Sequence, residues 1–395
     1  MSITVALYSH DSVGLGHARR NRAIAYALAA DLPRITGERV RGVLIAGHPD
    51  ATKDSLPPGW DWMILPGVTR TREGYASRRL DMSMDKLAAL RGSAVSAALD
   101  AISPDLFIVD RHAFGVAGEL KGVLENLRER HRCATVLGLR EVLDTPEVAR
   151  EEWERLGGAD VVAGAYDAVW VYGDPGVYDP VRTGEIPAAL ATRCISTGYL
   201  AHGRPDDPGA AGTQPYVLTV VGGGSDGRRV SLAAAHARVP AGHRQIIVTG
   251  PQMPVEDFEE IHASAGEETT VLRSARNVPA LIRDAAAVIC MGGYNSLAEV
   301  MATDTPALVV PRSSRRAEQP RRAAALAAAG AVDTITAEQC RPEALSAWLS
   351  GAVHRRAGRD HLDLDGLTRL GDLAAAHITA RQQDRTSRLE AADAR

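Results

Sequence analysis

A chain of 395 residues is longer than one hydrophobic core usually serves, so two domains are expected. With 45% hydrophobic and 24% charged residues, a net charge of -4 and a pI near 6.3, the composition is that of a globular protein and gives no global case for a nucleic-acid partner. Lysine occurs only at 53, 86 and 121, so arginine carries nearly all positive charge and no single arginine is read as a phosphate ligand. Cys133, Cys194, Cys290 and Cys340 are widely separated and form no C-x-x-C pair, and three lie in or beside apolar runs. Reduced buried thiols, no metal site and a cytoplasmic compartment are expected from that pattern. The opening Ser2-Ile3-Thr4-Val5-Ala6-Leu7 is too short for the apolar part of a signal peptide, and no run reaches the roughly 18–20 apolar residues of a spanning helix. A soluble protein without stable membrane insertion is the expectation.

Strand-like and helix-like segments alternate from the start, which argues for α/β architecture with parallel sheets. Ile3 to Tyr8 reads as a buried strand and Ala18 to Ala30 as a helix, with Ser9-His10-Asp11-Ser12-Val13-Gly14-Leu15-Gly16-His17 and then Arg19 and Arg20 between and after them. A glycine-rich loop at the carboxyl end of the first strand is where open α/β sheets hold ligands, although the third glycine of a dinucleotide fingerprint is absent. At a helix start the dipole disfavours the imidazolium of His17, leaving a neutral ring able to take a proton; a capping role describes the same residue. Val40 to Ala46 and Trp60 to Leu65 read as strands, 66–79 as a polar loop or lid carrying Arg70, Arg72, Arg78 and Arg79, and Leu80 to Ala101 as a long amphipathic helix. Leu106-Phe107-Ile108-Val109-Asp110 is a strongly apolar strand whose terminal carboxylate points into a ligand crevice, caps the helix expected from about Gly115 or pairs with a nearby arginine. Cys133 to Leu139 follows as a strand ending in Arg140 and Glu141, and Thr145-Pro146 opens a helix with a cap and a proline at its first position. Ala168 to Tyr172 and Arg193 to Ser196 complete this half, and Gly203-Arg204-Pro205-Asp206-Asp207-Pro208-Gly209 reads as a linker.

The second half restarts the pattern. Tyr216 to Val221 is a strand running into Gly222-Gly223-Gly224-Ser225-Asp226-Gly227 and a helix through Ala237. Strands follow at Gln245 to Thr249 and Thr269 to Leu272, then a short connection from Arg273 to Val278 and a helix at Pro279 to Arg283. The most telling stretch is Met291-Gly292-Gly293-Tyr294-Asn295-Ser296-Leu297-Ala298-Glu299, entered from the apolar run Ala285 to Cys290. It reads as strand, glycine turn, helix, with uncovered amides for an anion and, one turn on, Glu299 for a pair of hydroxyls. Phosphate and diol together describe a nucleoside-diphosphate-sugar pocket; an ordinary strand-to-helix turn has the same outline. A strand at Ala307 to Val310, then Pro311 to Arg322 with Glu318 and Gln319, an alanine-rich helix at 323–329, a helix at Gly366 to Thr379 and a polar tail complete the chain. Asp363-Leu364-Asp365 matches a metal-holding D-x-D only superficially, since no buried strand leads into it.

Together the G-G-G-S loop and the G-G-x-N-S-L-x-E element resemble those of GT-B glycosyltransferases, two doubly wound Rossmann-like domains facing a central cleft with a C-terminal helix. The group containing the peptidoglycan N-acetylglucosaminyltransferase, with its family 28 C-terminal-like domain, is the most similar, and Val309-Val310-Pro311 followed by Glu318-Gln319 resembles that group's P-x(n)-Q-x-x-x-A segment. Tyr8-Ser9-His10-Asp11 to Gly14-Leu15-Gly16-His17, with Gly138-Leu139-Arg140-Glu141, resembles a bacterial branch of glycosyltransferases without assigned acceptors. The resemblance implies an acceptor domain at 1–200, a linker at 201–214, a donor domain at 215–380 and a polar tail at 381–395. It implies that Gly223, Gly224 and Ser225, with Gly292, Gly293, Asn295 and Ser296, meet the donor's phosphates or sugar, that Glu299 meets its ribose, that Glu318 and Gln319 meet its sugar, and that Arg273 to Val278 lies along its base. Gly14, Gly16, Arg140 and Glu141 would face the acceptor, with His17, Asp11 and Asp110, in that order, as candidate bases.

The expected activity is transfer of a sugar from a nucleoside-diphosphate sugar of the UDP, dTDP or GDP series to a hydroxyl or amine of a small-molecule or glycan acceptor. No metal or other cofactor is required, because amides at two glycine-rich helix starts can neutralise the leaving diphosphate. Inversion at the anomeric carbon is implied by the resemblance, and a bacterial natural product or envelope glycan is the acceptor class considered. The competing readings are a nucleotide-sugar 2-epimerase, for which Asp110 and Glu141 are the only evident carboxylates, and a catalytically silent nucleotide-sugar-binding partner subunit. Oligomeric state is not legible in the sequence.

Overall fold

The structure is a computed structural model that describes residues 2–11, 14–71, 74–129, 133–205, 214–275, 277–312 and 316–393. It contains two parallel sheets, each in its own compact unit. The first unit comprises 1–173, 180–204 and 365–395, and the second 174–179 and 205–364.

The first sheet has seven strands: β1 (Ser2–Tyr8), β2 (Arg39–Ala46), β3 (Trp60–Ile64), β6 (Leu106–Asp110), β7 (Ala134–Arg140), β8 (Ala168–Tyr172) and β9 (Cys194–Ser196), in the order β3-β2-β1-β6-β7-β8-β9. Between β3 and β6 the chain forms a small antiparallel hairpin, β4 (Val68–Arg70) with β5 (Tyr75–Ser77), where the sequence suggests a polar loop or lid. Every residue of β6 and β8 is buried, as expected of parallel strands covered on both faces. On one face Phe107, Val109, Leu137, Leu139, Val169 and Val171 share a core with Leu99, Leu124 and Trp153. Burying one such side chain contributes ~1.5–3 kcal/mol, and the alternating half of each strand faces the opposite layer of helices.

The second sheet holds β10 (Tyr216–Val220), β11 (Arg244–Val248), β12 (Thr269–Leu272), β13 (Ala287–Cys290), β14 (Ala307–Val309) and β15 (Asp333–Thr334), in the order β12-β11-β10-β13-β14-β15. Val217, Ile247, Ile289 and Leu308 pack with Val230, Leu345 and Leu349 to form its core. In both sheets strand order reverses beside the first strand: β1 lies between β2 and β6, and β10 between β11 and β13. Crossovers leave that point in opposite directions, which opens a crevice at the carboxyl ends of the two central strands.

Several local signals hold in the structure. Thr145 accepts from the amide of Val148 at 3.3 Å and Pro146 opens the helix Pro146–Arg155. Downstream of β6, however, the helix expected from Gly115 is replaced by a short turn at Val116–Gly118, and the regular helix runs from Lys121 to Glu129. Gly115 (φ 67), Ala117 (φ 51) and Gly118 (φ 77) are left-handed there, and the buried Glu119 carboxylate sits under the turn, accepting the Val116 amide and both ends of the Arg91 guanidinium. Such backbone cannot continue a helix.

The chain's end departs from the sequence reading most clearly. The helix Gly366–Asp393 runs on through the expected polar tail, and it packs along the helix Gly16–Thr36 of the first unit, not within the second. Arg369 donates to the Thr197 carbonyl and Arg381 pairs with Asp167, so two arginines twelve positions apart tie the helix to the first unit. Most of the sequence-defined linker, 206–213, lies outside the described residues, as do Ser12, Val13, Arg72 and Arg276. Among the described residues no helix is long and apolar enough to cross a membrane.

The close seat of this helix makes a test. A Cβ on Gly371 would fall 2.6 Å from Cβ of Asp31 and 3.2 Å from Cδ1 of Ile35. Gly371→Val is expected to destabilise the first unit by about 1–3 kcal/mol, the usual range for overpacking, as a lower midpoint in urea unfolding. An unchanged midpoint would show that the helix is not seated there.

Candidate functional site

Each switch point carries polar side chains, and the first unit's set is built around one carboxylate. Asp110 ends β6 with its side chain fully buried. Its Oδ2 meets Nδ1 of His17 at 2.5 Å and Nη2 of Arg20 at 2.6 Å, while Oδ1 accepts from Nε of Arg20 at 2.9 Å. His17 and Arg20 are three residues apart on the helix Gly16–Thr36, so both rise from one face toward the end of β6. Burial pushes the Asp110 carboxyl up, but Arg20 and then His17 outweigh it and hold the group well below the usual carboxylate range. Nδ1 of His17 is thus occupied, and the His17 side chain keeps 21% exposure. A ring held at Nδ1 by a carboxylate has Nε2 free to take a proton.

Asp11 is used differently. It has a left-handed backbone (φ 42), accepts from Oγ of Ser9 at 2.5 Å and from the amide of Ala18 at 3.1 Å, and is fully buried. Burial raises its pKa, against the lowering by His17 and by those hydrogen bonds. The carboxylate therefore caps the first turn of the helix that carries His17. Gly14 is half-buried and Gly16 exposed at the start of that helix. Arg140 closes β7, one strand beyond β6, and Glu141 after it is fully buried, its Cβ 2.4 Å from where one on Gly173 would lie.

Sequence reasoning did not find three further members. Arg20 was noted without a role, although its i,i+3 spacing from His17 was the available signal. His10 and His112 bring two more imidazoles: the His10 ring lies 4.1 Å from that of His112 and 4.8 Å from that of His17. Burial, with His17 next, pushes the His10 pKa down, so a neutral ring packs against the dyad.

In the second unit the glycines act as expected of close backbone approach. Gly222 (φ 64) and Gly224 (φ 92) are left-handed, and a Cβ on Gly224 would fall 2.2 Å from the Thr249 carbonyl, so the turn after β10 is pressed against the end of β11. Gly223 and Ser225 are exposed on it. After β13, a Cβ on Gly292 would lie 3.0 Å from Cβ of Gln319, whereas one on Gly293 would meet nothing within 4 Å. Gly293 therefore leaves open space over the start of the helix Tyr294–Met301. Asn295 and Glu299 are 9% and 4% exposed on this helix, and Ser296 is half-buried.

The chain after β14 closes the set. Oε1 of Gln319 accepts from the Arg312 amide at 3.2 Å, and Arg312 donates from Nη2 to Glu318 at 2.7 Å and from Nη1 to Asp226 at 3.4 Å. Arg322 donates to the Gly292 carbonyl at 3.0 Å. The second unit thus gathers Gly223, Gly224, Ser225, Gly292, Gly293, Asn295, Ser296, Glu318 and Gln319 at the ends of three adjacent strands, with Glu299 one turn inside. The Arg273 guanidinium donates to the Met253 carbonyl at 2.6 Å and lies 5.0 Å over the Phe258 ring. Val278 opens the helix Val278–Asp284, capped by Asn277. Among the described residues no group of three or more His, Cys, Asp or Glu is arranged to hold a metal ion.

Residues 217–357 match the profile of the glycosyltransferase family 28 C-terminal domain, which spans the second sheet and both glycine turns. A UDP-N-acetylglucosamine–N-acetylmuramyl-(pentapeptide) pyrophosphoryl-undecaprenol N-acetylglucosamine transferase of Methylobacterium nodulans is 31% identical over 191 residues, 45% of this chain and 50% of that protein. The Brucella suis biovar 1 enzyme of the same name is 26% identical over 219 residues, 50% of this chain and 57% of that protein. The chain thus spans about half the length of the curated relatives it matches. Among solved structures, MurG of Acinetobacter baumannii superposes with a TM-score of 0.57 at 15% identity over 95% of this chain and 99% of that one. The calicheamicin glycosyltransferase CalG4 does so with a TM-score of 0.56 at 14% identity over 98% and 97%. These likenesses show the GT-B fold.

Asp110 yields a stability prediction. A depressed folded pKa means that its stabilisation is full above the ordinary carboxylate value of about 3.9 and is lost as pH falls toward the folded value. Asp110→Asn leaves the Arg20 cation buried without its countercharge, and about 3–5 kcal/mol should be lost at pH 7. Urea unfolding at pH 7 and below about pH 4 checks this: the gap between variant and wild type should narrow in acid.

Proposed function

We propose that this protein is a nucleotide-sugar-dependent glycosyltransferase that passes a sugar from a nucleoside diphosphate to a hydroxyl or amine of a small-molecule or glycan acceptor. The observation that carries the reading is the coincidence of the family 28 domain match with a switch point flanked by two glycine turns. Amides at the Gly222–Gly227 turn and at the start of the helix Tyr294–Met301 are suited to the diphosphate, and Glu299 to the ribose hydroxyls. Gln319, with its carbonyl oxygen engaged by the Arg312 amide, turns its NH₂ group to the donor.

Chemistry at the acceptor is assigned to His17. Nε2 takes the acceptor proton as the acceptor oxygen or nitrogen bonds to the anomeric carbon, and the bond from that carbon to the diphosphate oxygen breaks. The nucleoside diphosphate leaves with the electron pair. Attack opposite the leaving group inverts the anomeric centre. Asp110 holds Nδ1 and stabilises the imidazolium formed in the step. Asp11 supports this arrangement as the helix cap, so His17 alone carries the base role. Backbone amides and helix starts meet the leaving charge, so no divalent metal is assigned to the reaction.

The test is thermal unfolding against UDP, dTDP and GDP without added metal. A nucleotide at about 100 times its dissociation constant should add about 2.7 kcal/mol of stability, seen as a raised melting temperature with one member of the panel. Glu299→Ala should lose that shift. The absence of a shift with every nucleotide would overturn the reading.

A further inference from the structure

Asp226 poses an electrostatic problem for the donor pocket. It directly follows Ser225 in the turn assigned to the diphosphate, and its side chain is 22% exposed. A carboxylate beside a dianionic or trianionic ligand opposes binding unless a cation compensates it. Arg312 lies against it: Nη1 is 3.4 Å from Oδ2 of Asp226, and Nη2 is 2.7 Å from Oε1 of Glu318. The same residue's amide fixes Gln319 through Oε1. Nε of Arg312 is buried without a hydrogen-bond partner among the described residues, so two carboxylates and not a closed hydrogen-bond set keep the guanidinium in place. One side chain therefore ties the turn after β10 to the segment that carries Glu318 and Gln319.

We propose that Arg312 is a positioning residue that makes the pocket tolerant of a diphosphate by neutralising Asp226 while holding Glu318 and Gln319 in register. This rests on the donor-pocket reading above. Arg312 acts through its two carboxylates, so its loss is harmful mainly because Asp226 is left uncompensated. Removing the Asp226 charge as well should then restore binding. A cation that touched the phosphates itself, or served only to pack the loop, would give no such recovery.

The experiment is titration calorimetry of UDP, dTDP and GDP into the wild type, Arg312→Gln, Asp226→Asn and the double variant, with melting temperatures taken for each. For the nucleotide that the wild type binds, Arg312→Gln should weaken binding about tenfold, equivalent to ~1.4 kcal/mol. Asp226→Asn should bind as well as the wild type or better, and the double variant should come within about threefold of it. Undiminished binding by Arg312→Gln, or a loss that the double variant does not recover, overturns the proposal. Asp226→Asn supplies a check that does not depend on the folding of the arginine variant: binding weakened by more than about threefold also overturns it. If the wild type binds no nucleotide, the donor-pocket reading fails and takes this inference with it; if the wild type binds and recovery is absent, only the inference fails.

Discussion

Parallel strands can be joined only by crossovers, and crossovers of one hand force a sheet that grows in both directions to reverse beside its first strand. Everything assigned to function here hangs on that constraint. At the reversal no helix covers the carboxyl ends of the central strands, so whatever follows those strands is free to meet a ligand. In the first unit β1 and β6 deliver the His17 loop and Asp110, and in the second β10 and β13 deliver the two glycine turns. The strands themselves are nearly all aliphatic and say nothing of chemistry. The chemistry sits at and just beyond their carboxyl ends, as with Asp110, the last residue of β6, and the glycine turns after β10 and β13.

The two sites hold their groups by different means. The first is ionic: a buried carboxylate fixes an imidazole and an arginine, and each buried charge is tolerable only because the other is present. Geometry set this way is stiff, which suits the base role proposed for His17. The second is steric and backbone-based, with Gly224 and Gly292 fitted against neighbouring elements and Gly293 left open. Glycines there trade chain entropy for exposed amides, an arrangement suited to an anion and indifferent to the rest of the ligand.

Much of this was legible in the sequence, and the limits follow from range. Alternating apolar runs and turns locate the strands of the two parallel sheets to within a few residues, because each strand is decided by burial of its own side chains; the two-residue β15 and the β4–β5 hairpin escape. The glycine turns were legible for the same local reason. Which arginine pairs with Asp110 was not, because Arg20 lies 90 positions away. Nor was Arg312, whose contact to Asp226 spans 86 positions. The capping contact of Asp11, one of the candidate bases, was not legible either, since it rests on a left-handed backbone at Asp11 and the Ala18 amide. The last helix had a readable period and no readable address: its contacts through Gly371, Arg369 and Arg381 show that it returns to the first unit.

The central claim is that the nucleotide pocket is complete within the second unit, whereas His17 serves the acceptor. Gly293 allows a direct test, because its φ of -70° suits any L-residue and a Cβ there meets nothing within 4 Å. Gly293→Val should fold normally and fill only the space kept for the ligand. Titration calorimetry of the bound nucleoside diphosphate into Gly293→Val and His17→Ala, side by side, is the measurement to make. The account predicts that Gly293→Val loses binding and His17→Ala retains it. Binding that survives in Gly293→Val and disappears in His17→Ala would contradict it.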